Sequence, residues 1–187
     1  MGLLDALLGR TRLPKPNEDR VFAMSTAVIT LEAAGLRPGG RLGIVLKRLP
    51  PGRFEQLESE VRQLLSLQDD RPRTAVELKR DDLGFDWLVL SGTDFQESLA
   101  AAHVVATRFL EEGLGDLLLA CLFRFEQGER AAYWVYGYKL GTFYPFLPTG
   151  DRRRDNAEEL RLAAVAKTEL PIEPDLAQWY PLWGPPL

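Results

Sequence analysis

The chain has 187 residues, 45% hydrophobic and 27% charged, with a net charge of −4, which suits one globular domain with a real core. That acidic balance excludes bulk electrostatic binding to nucleic acid, which needs basic residues massed on one face. A single cysteine, Cys121, and a single histidine, His103, exclude an internal disulfide framework and a multi-cysteine zinc site.

The pattern begins with Leu3, Leu4, Leu7 and Leu8, which recur at helical spacing and predict a short amphipathic helix over residues 3–9. Two readings stand side by side: an anchor on a membrane surface or partner, and a terminal helix laid on the domain's own core. The segment MGLLDALLGR is too short and too soon charged for a secretory signal. Pro14 and Pro16 then make LPKPNED a linker. The expected organisation is a helix and linker over 1–16 and one domain over 17–187, ending in an aromatic tail.

Residues 18–34 predict a helix, with Ser25 and Thr26 marking where it can divide. Leu36 to Gly40 reads as a turn and Arg41 to Leu49 as a strand, with Leu42, Ile44 and Leu46 on one face. A helix is expected over 54–67, striped by Phe54, Leu57, Val61, Leu64 and Leu65. DDRPR is a loop. Residues 74–80 and 84–91 predict a hairpin around RDDLG, with Phe85, Trp87 and Val89 on one face.

Thr93 with Gln96 signals a helix start, and Gly113 stops that helix after about 94–112. Leu117 to Phe125 is a nearly unbroken apolar run, as in a central strand covered on both sides. A strand from Ala131 to Leu140 follows, with Ala132, Trp134, Tyr136 and Tyr138 opposite Tyr133, Val135 and Lys139. Asn156 and Glu159 open a last helix over about 156–168. The fold class expected is α+β: a mostly antiparallel sheet of about five strands with helices packed on one face. The element order is similar to that of type III secretion chaperones and YbjN-like proteins, with helix 54–67 as an insertion.

Little in the sequence points to catalysis. His103 sits mid-helix on the stripe of Leu99, Ala106 and Leu110 and reads as a core-edge residue. Cys121 lies among strand leucines, where burial makes a thiol inert. Asp69-Asp70 and Asp81-Asp82 lack the ligand spacing of a calcium loop, and no phosphate loop is present. Neither a cofactor nor a catalytic residue is expected. The most unusual stretch is YKLGTFYPFLPTGDRRRDN, where aromatic residues give way to Arg152, Arg153 and Arg154 before a helix N-terminus. Cations there are suited to an anionic group. With Lys139, Thr142 and Tyr144 they define a candidate partner surface; the alternative is a solvated loop whose arginines pair with the protein's own acids. Trp179, Tyr180 and Trp183 offer a partner strip or a clasp on the domain's own sheet.

MGLLDALLGR, DLGFDWLV, YKLGTFYPFLP followed by RRDNAEEL, and IEPDLAQWYPLWG together resemble the PspA-associated protein family, PspAB. The likeness runs in order along nearly the whole chain, with 47–80 contributing least. It implies a bacterial accessory of the PspA phage-shock system of envelope stress, cytoplasmic and in peripheral contact with the membrane or free of it. It assigns no catalytic residue. Three functions follow as expectations. The first is a non-enzymatic module docking a PspA-like protein, whose long charged helices present acidic stretches to the arginines. The second is a secretion-chaperone-like dimer, which an apolar groove along strands 85–91 or 131–140 would favour. The third is an enzyme built on His103, Tyr136, Tyr138 and Lys139. Monomer and dimer both remain open.

Overall fold

The computed structural model describes residues 19–50, 52–66 and 74–187. The leucine helix, the linker and the DDRPR loop lie outside the described residues. A 3₁₀ turn, Asp19–Phe22, leads into α1, Ala23–Ala33, so the predicted helix does divide, though ahead of Ser25. The remaining helices are α2 (Arg53–Ser66), α3 (Phe95–Glu111) and α4 (Asn156–Ala166). The main strands are β1 (Arg37–Leu46), β2 (Ala75–Arg80), β3 (Asp86–Ser91), β4 (Leu118–Gln127), β5 (Arg130–Gly137) and β6 (Thr142–Phe146). They form one antiparallel sheet in the order β2-β3-β1-β4-β5-β6. A small ribbon, β7 (Pro148–Gly150) and β8 (Arg153–Arg154), follows. The α+β expectation is met.

Three differences have physical causes. β1 starts at Arg37, so the Pro-Gly stretch read as a turn belongs to the strand. It pairs with β4 through a register shift between Pro38 and Leu42, and Gly40 O accepts from Gly92 N at 3.0 Å. The sheet has a sixth strand, β6, because Pro145 sits on an edge strand, where a missing amide costs no ladder bond. Both predicted helix caps move by one residue. Asp94, not Thr93, accepts from Glu97 N at 2.9 Å, and Asp155, not Asn156, accepts from Glu158 N at 3.1 Å.

Alternation along the strands gives the sheet two apolar faces. One face carries Leu42, Ile44, Leu88, Cys121, Phe123 and Trp134, among others, and packs against the helices. The other carries Val45, Trp87, Val89, Leu122, Val135 and Phe146. Among the described residues the C-terminal tail is its main cover, joined at the margin by Ala163 of α4. Trp179 stacks on Tyr144 with ring centroids 6.0 Å apart, and Trp183 meets Phe146 edge-on at 5.1 Å. Leu187 is buried beside Trp87 and over Gly43, where a Cβ would stand 2.9 Å from Leu187 Cδ2. Its carbonyl accepts from Arg124 Nη1 at 2.8 Å. The aromatic tail is thus mainly a strap on its own sheet, with prolines that cannot extend a ladder.

Candidate functional site

The tail leaves one corner of its face uncovered. There a groove of about 500 Å³ opens between the ends of β3, β4 and β5 and the tail. Its lining is almost wholly apolar, including Val45, Phe85, Leu119, Val135, Leu140 and Leu182. Two turns build its walls. In the β2–β3 turn, Asp81 Oδ1 accepts from Leu83 N and Phe85 N, both at 2.9 Å, and Oδ2 accepts from Trp87 Nε1 at 2.8 Å. A single carboxylate thereby fixes the turn and holds Leu83 outward, 66% exposed. In the β5–β6 turn, Gly141 N donates to Gly137 O at 2.8 Å, and a positive φ at Gly141 lets the chain reverse. That turn presents Leu140, 49% exposed.

The groove carries one cation, Lys139, which makes no hydrogen bond or ion pair among the described residues. Tyr144 forms part of the wall. Its hydroxyl donates to Tyr180 O at 3.1 Å, and burial pushes its pKa up, so it remains a neutral phenol. The arrangement offers apolar area, a phenol already committed and one ammonium unpaired among the described residues, chemistry suited to an apolar segment that carries negative charge.

The structure separates the other residues of the predicted surface. Thr142 Oγ1 donates to buried Glu173 at 2.7 Å. Arg152 and Arg153 are exposed at the β7–β8 ribbon, beyond the other end of β6 from the groove. Arg152 and its neighbour Asp151 both adopt left-handed backbone, with φ of 53° and 49°. Arg154 turns inward. Its Nε donates to both oxygens of Glu159 at 2.9 and 2.8 Å, its Nη1 to Trp179 O at 2.7 Å, and its guanidinium lies 5.3 Å from the Phe146 ring centre. Glu159 is 1% exposed and also accepts from Leu147 N at 2.7 Å. The arginine triplet is therefore not one surface: its third member is an internal fastener, and Asp155 already caps the helix behind it.

The remaining chemistry is quiet. His103 lies 3.4 Å from Thr107 Oγ1 and packs on Phe22, its ring centroid 4.5 Å away. Cys121 is fully buried, and that burial pushes its thiol pKa far up. Among the described residues no three His, Cys, Asp or Glu gather as metal ligands, and no helix is long and apolar enough to cross a membrane. A second cavity, about 330 Å³ between α2 and α3, has polar groups that pair with one another or nearby, such as Arg108 with Glu112 at 2.9 Å. Sequence reasoning marked Lys139 and Tyr144 but missed Leu83 and Leu140. Their signal was present: a large leucine inside each of two tight turns, where solvated residues are the rule.

Fold and groove together define an α+β domain whose sheet is covered by helices on one side and by its own tail on the other. The chain belongs to the PspAB family, PspA associated protein B, whose model matches residues 1–187. No curated protein and no solved structure matches it.

Proposed function

We propose that this protein is a non-enzymatic accessory that docks a PspA-like protein, taking an amphipathic segment of it into the apolar groove. The family name supplies the association with PspA. The observation that carries the reading is the open corner of the sheet, with two turn leucines pushed into solvent around a lysine that has no partner among the described residues. Exposed leucines cost solubility unless something covers them. A helix bearing an apolar stripe and a flanking Asp or Glu would bury Leu83, Leu140 and Leu182 and neutralise Lys139. Acidic residues further along such a helix would meet Arg152 and Arg153, which are exposed beyond the far end of β6.

The test is co-purification with the PspA-like protein of the same cell. Leu140→Asp and Lys139→Glu should each weaken capture without changing the melting temperature, because both side chains are partly solvated. Undiminished capture by both variants overturns the reading. The groove also borders Phe85 and the 131–140 strand, the place where a chaperone-like client site was expected. Light scattering separates that second reading, which requires a dimer.

A further inference from the structure

The groove has a direction and two unlike ends. Register links Trp87, Val45, Ala120, Gly137 and Thr142 into one row across β3, β1, β4, β5 and β6. The groove follows that row, from Phe85 just ahead of β3 to Tyr144 on β6. Four inter-strand spacings make it about 19 Å long. Its floor is low because the row holds small residues, Ala120 and Gly137; a Cβ added at Gly137 meets nothing nearer than Leu140 at 3.9 Å. The register shift after Val45 leaves Leu119 as the extra residue of β4, and Leu119 and Ala120 both line the groove. Spread over that length, about 500 Å³ gives a cross-section on the order of 26 Å², roughly a third that of an α-helix about 10 Å across. The trough admits the side chains of a helix, but a single alkyl chain whole. At the β2–β3 turn its lining is hydrocarbon, Leu83 and Phe85. By β6 and the β5–β6 turn it includes Lys139, Gln178 and the hydroxyls of Tyr144 and Tyr180. Both hydroxyls are spent, that of Tyr144 on Tyr180 O and that of Tyr180 on Gln178 Oε1, each at 3.1 Å. The Lys139 ammonium and the Gln178 amide nitrogen remain as donors with no acceptor among the described residues.

We propose that the groove is a binding site for one long-chain carboxylate, with the alkyl chain along the Val45, Ala120 and Gly137 row and the head group on Lys139 and Gln178. An apolar trough with donors at one end complements a chain with an anionic head. An apolar cavity of about 150 Å³ holds benzene, so about 500 Å³ holds on the order of 20 carbon atoms. That is one chain, and not the pair carried by a membrane phospholipid. A lone ammonium offsets one negative charge. The site stands without the docking reading, while its regulatory consequence rests on that reading: carboxylate and PspA-like segment exclude one another from the groove.

The experiment titrates monomeric palmitate into the full chain, stripped of co-purified lipid, by calorimetry. The expected result is saturable binding of one palmitate per chain. Myristate, two methylenes shorter, should bind up to about fifteenfold more weakly. Gly137→Val raises the trough floor where a Cβ has room and should weaken palmitate at least about tenfold without lowering the melting temperature. Ala120→Met plugs the same row from the neighbouring strand and should do likewise. Lys139→Met should weaken palmitate about fivefold and leave the methyl ester of palmitate unaffected. Absence of saturable palmitate binding overturns the proposal. So does binding indifferent to both plugging variants, equal loss of acid and ester in Lys139→Met, or association only with vesicles of anionic phospholipid. The two readings fail separately. Palmitate binding that Gly137→Val removes, in a protein whose capture of the PspA-like partner ignores both palmitate and Leu140→Asp, sinks the docking reading and leaves the ligand site. Partner capture lost in Leu140→Asp, with no palmitate bound by the parent, does the reverse.

Discussion

Arg154 is the residue on which a partner-site reading and a structural reading diverge most sharply. Replacing it with methionine keeps apolar contact with Phe146 but removes every donor. Glu159 then keeps only the Leu147 amide among the partners named above, in a site where it is 1% exposed. Stranding one member of a buried pair costs about 3–5 kcal/mol. For a chain of this size that lowers the melting temperature by on the order of 10 °C. The loss depends on pH in a definite direction. Burial already raises the Glu159 pKa, and the bond from Arg154 opposes that rise; without Arg154 the pKa climbs further. A carboxyl raised in the fold contributes stability that is complete below its unfolded value and lost as pH rises through the folded value. The deficit of Arg154→Met should therefore be largest at neutral pH and shrink at mildly acidic pH, as Glu159 takes up a proton. Adding Glu159→Gln should recover much of the stability at neutral pH, since a neutral amide still accepts from Leu147 N. Urea denaturation at the two pH values reads all three quantities. A variant as stable as the parent at neutral pH, or a deficit indifferent to pH, refutes the reasoning.

Other outcomes follow from the same contacts. Arg152→Glu with Arg153→Glu should change stability by less than about 0.5 kcal/mol by urea denaturation, because both side chains are exposed. Gly43→Ala should destabilise by about 1–3 kcal/mol in the same assay, since the new methyl meets the Trp87 ring at 3.1 Å as well as Leu187. The Cys121 thiol should stay silent to a thiol reagent in the folded protein and react once the chain is unfolded in urea. Glu158 is pulled down to about 2, chiefly by the hydrogen bond from Arg161. Its contribution should be present above the ordinary carboxylate pKa and lost as pH falls through that window, so Glu158→Gln should flatten the acid limb of the stability profile.

The sequence was most legible where burial is periodic. The two faces of residues 131–138 and the hairpin of 75–91 follow from alternation alone, because successive side chains of a strand point to opposite faces. β6 stayed hidden because its Pro145 argues against a strand until it is known to lie on an edge. The arginine triplet was legible as three charges and opaque as three fates. Adjacent strand residues point to opposite sides, so Arg153 faces water while Arg154 finds Glu159, a helical residue whose burial local spacing alone does not reveal. The groove was half legible. Its floor comes from predictable strand positions, but its opening depends on where a tail without regular structure happens to run.

The way the sheet ends on either side bears on how the molecule keeps company with itself. Along the outer margin of β6, Phe143 N donates to Pro171 O at 2.8 Å and Phe143 O accepts from Glu173 N at 2.9 Å, while Pro145 offers no amide and its carbonyl accepts from Arg154 at 3.4 Å. The chain has stitched its own hem there, and no foreign strand can zip onto β6 without unpicking it. Along the opposite margin, β2, the Val76 carbonyl accepts from Arg62 Nη2 at 2.9 Å, and the strand displays Glu77, Lys79 and Arg80, a charged selvedge that discourages growth into a ribbon of copies. Visitors to this protein are thereby steered away from its strand edges and toward its faces.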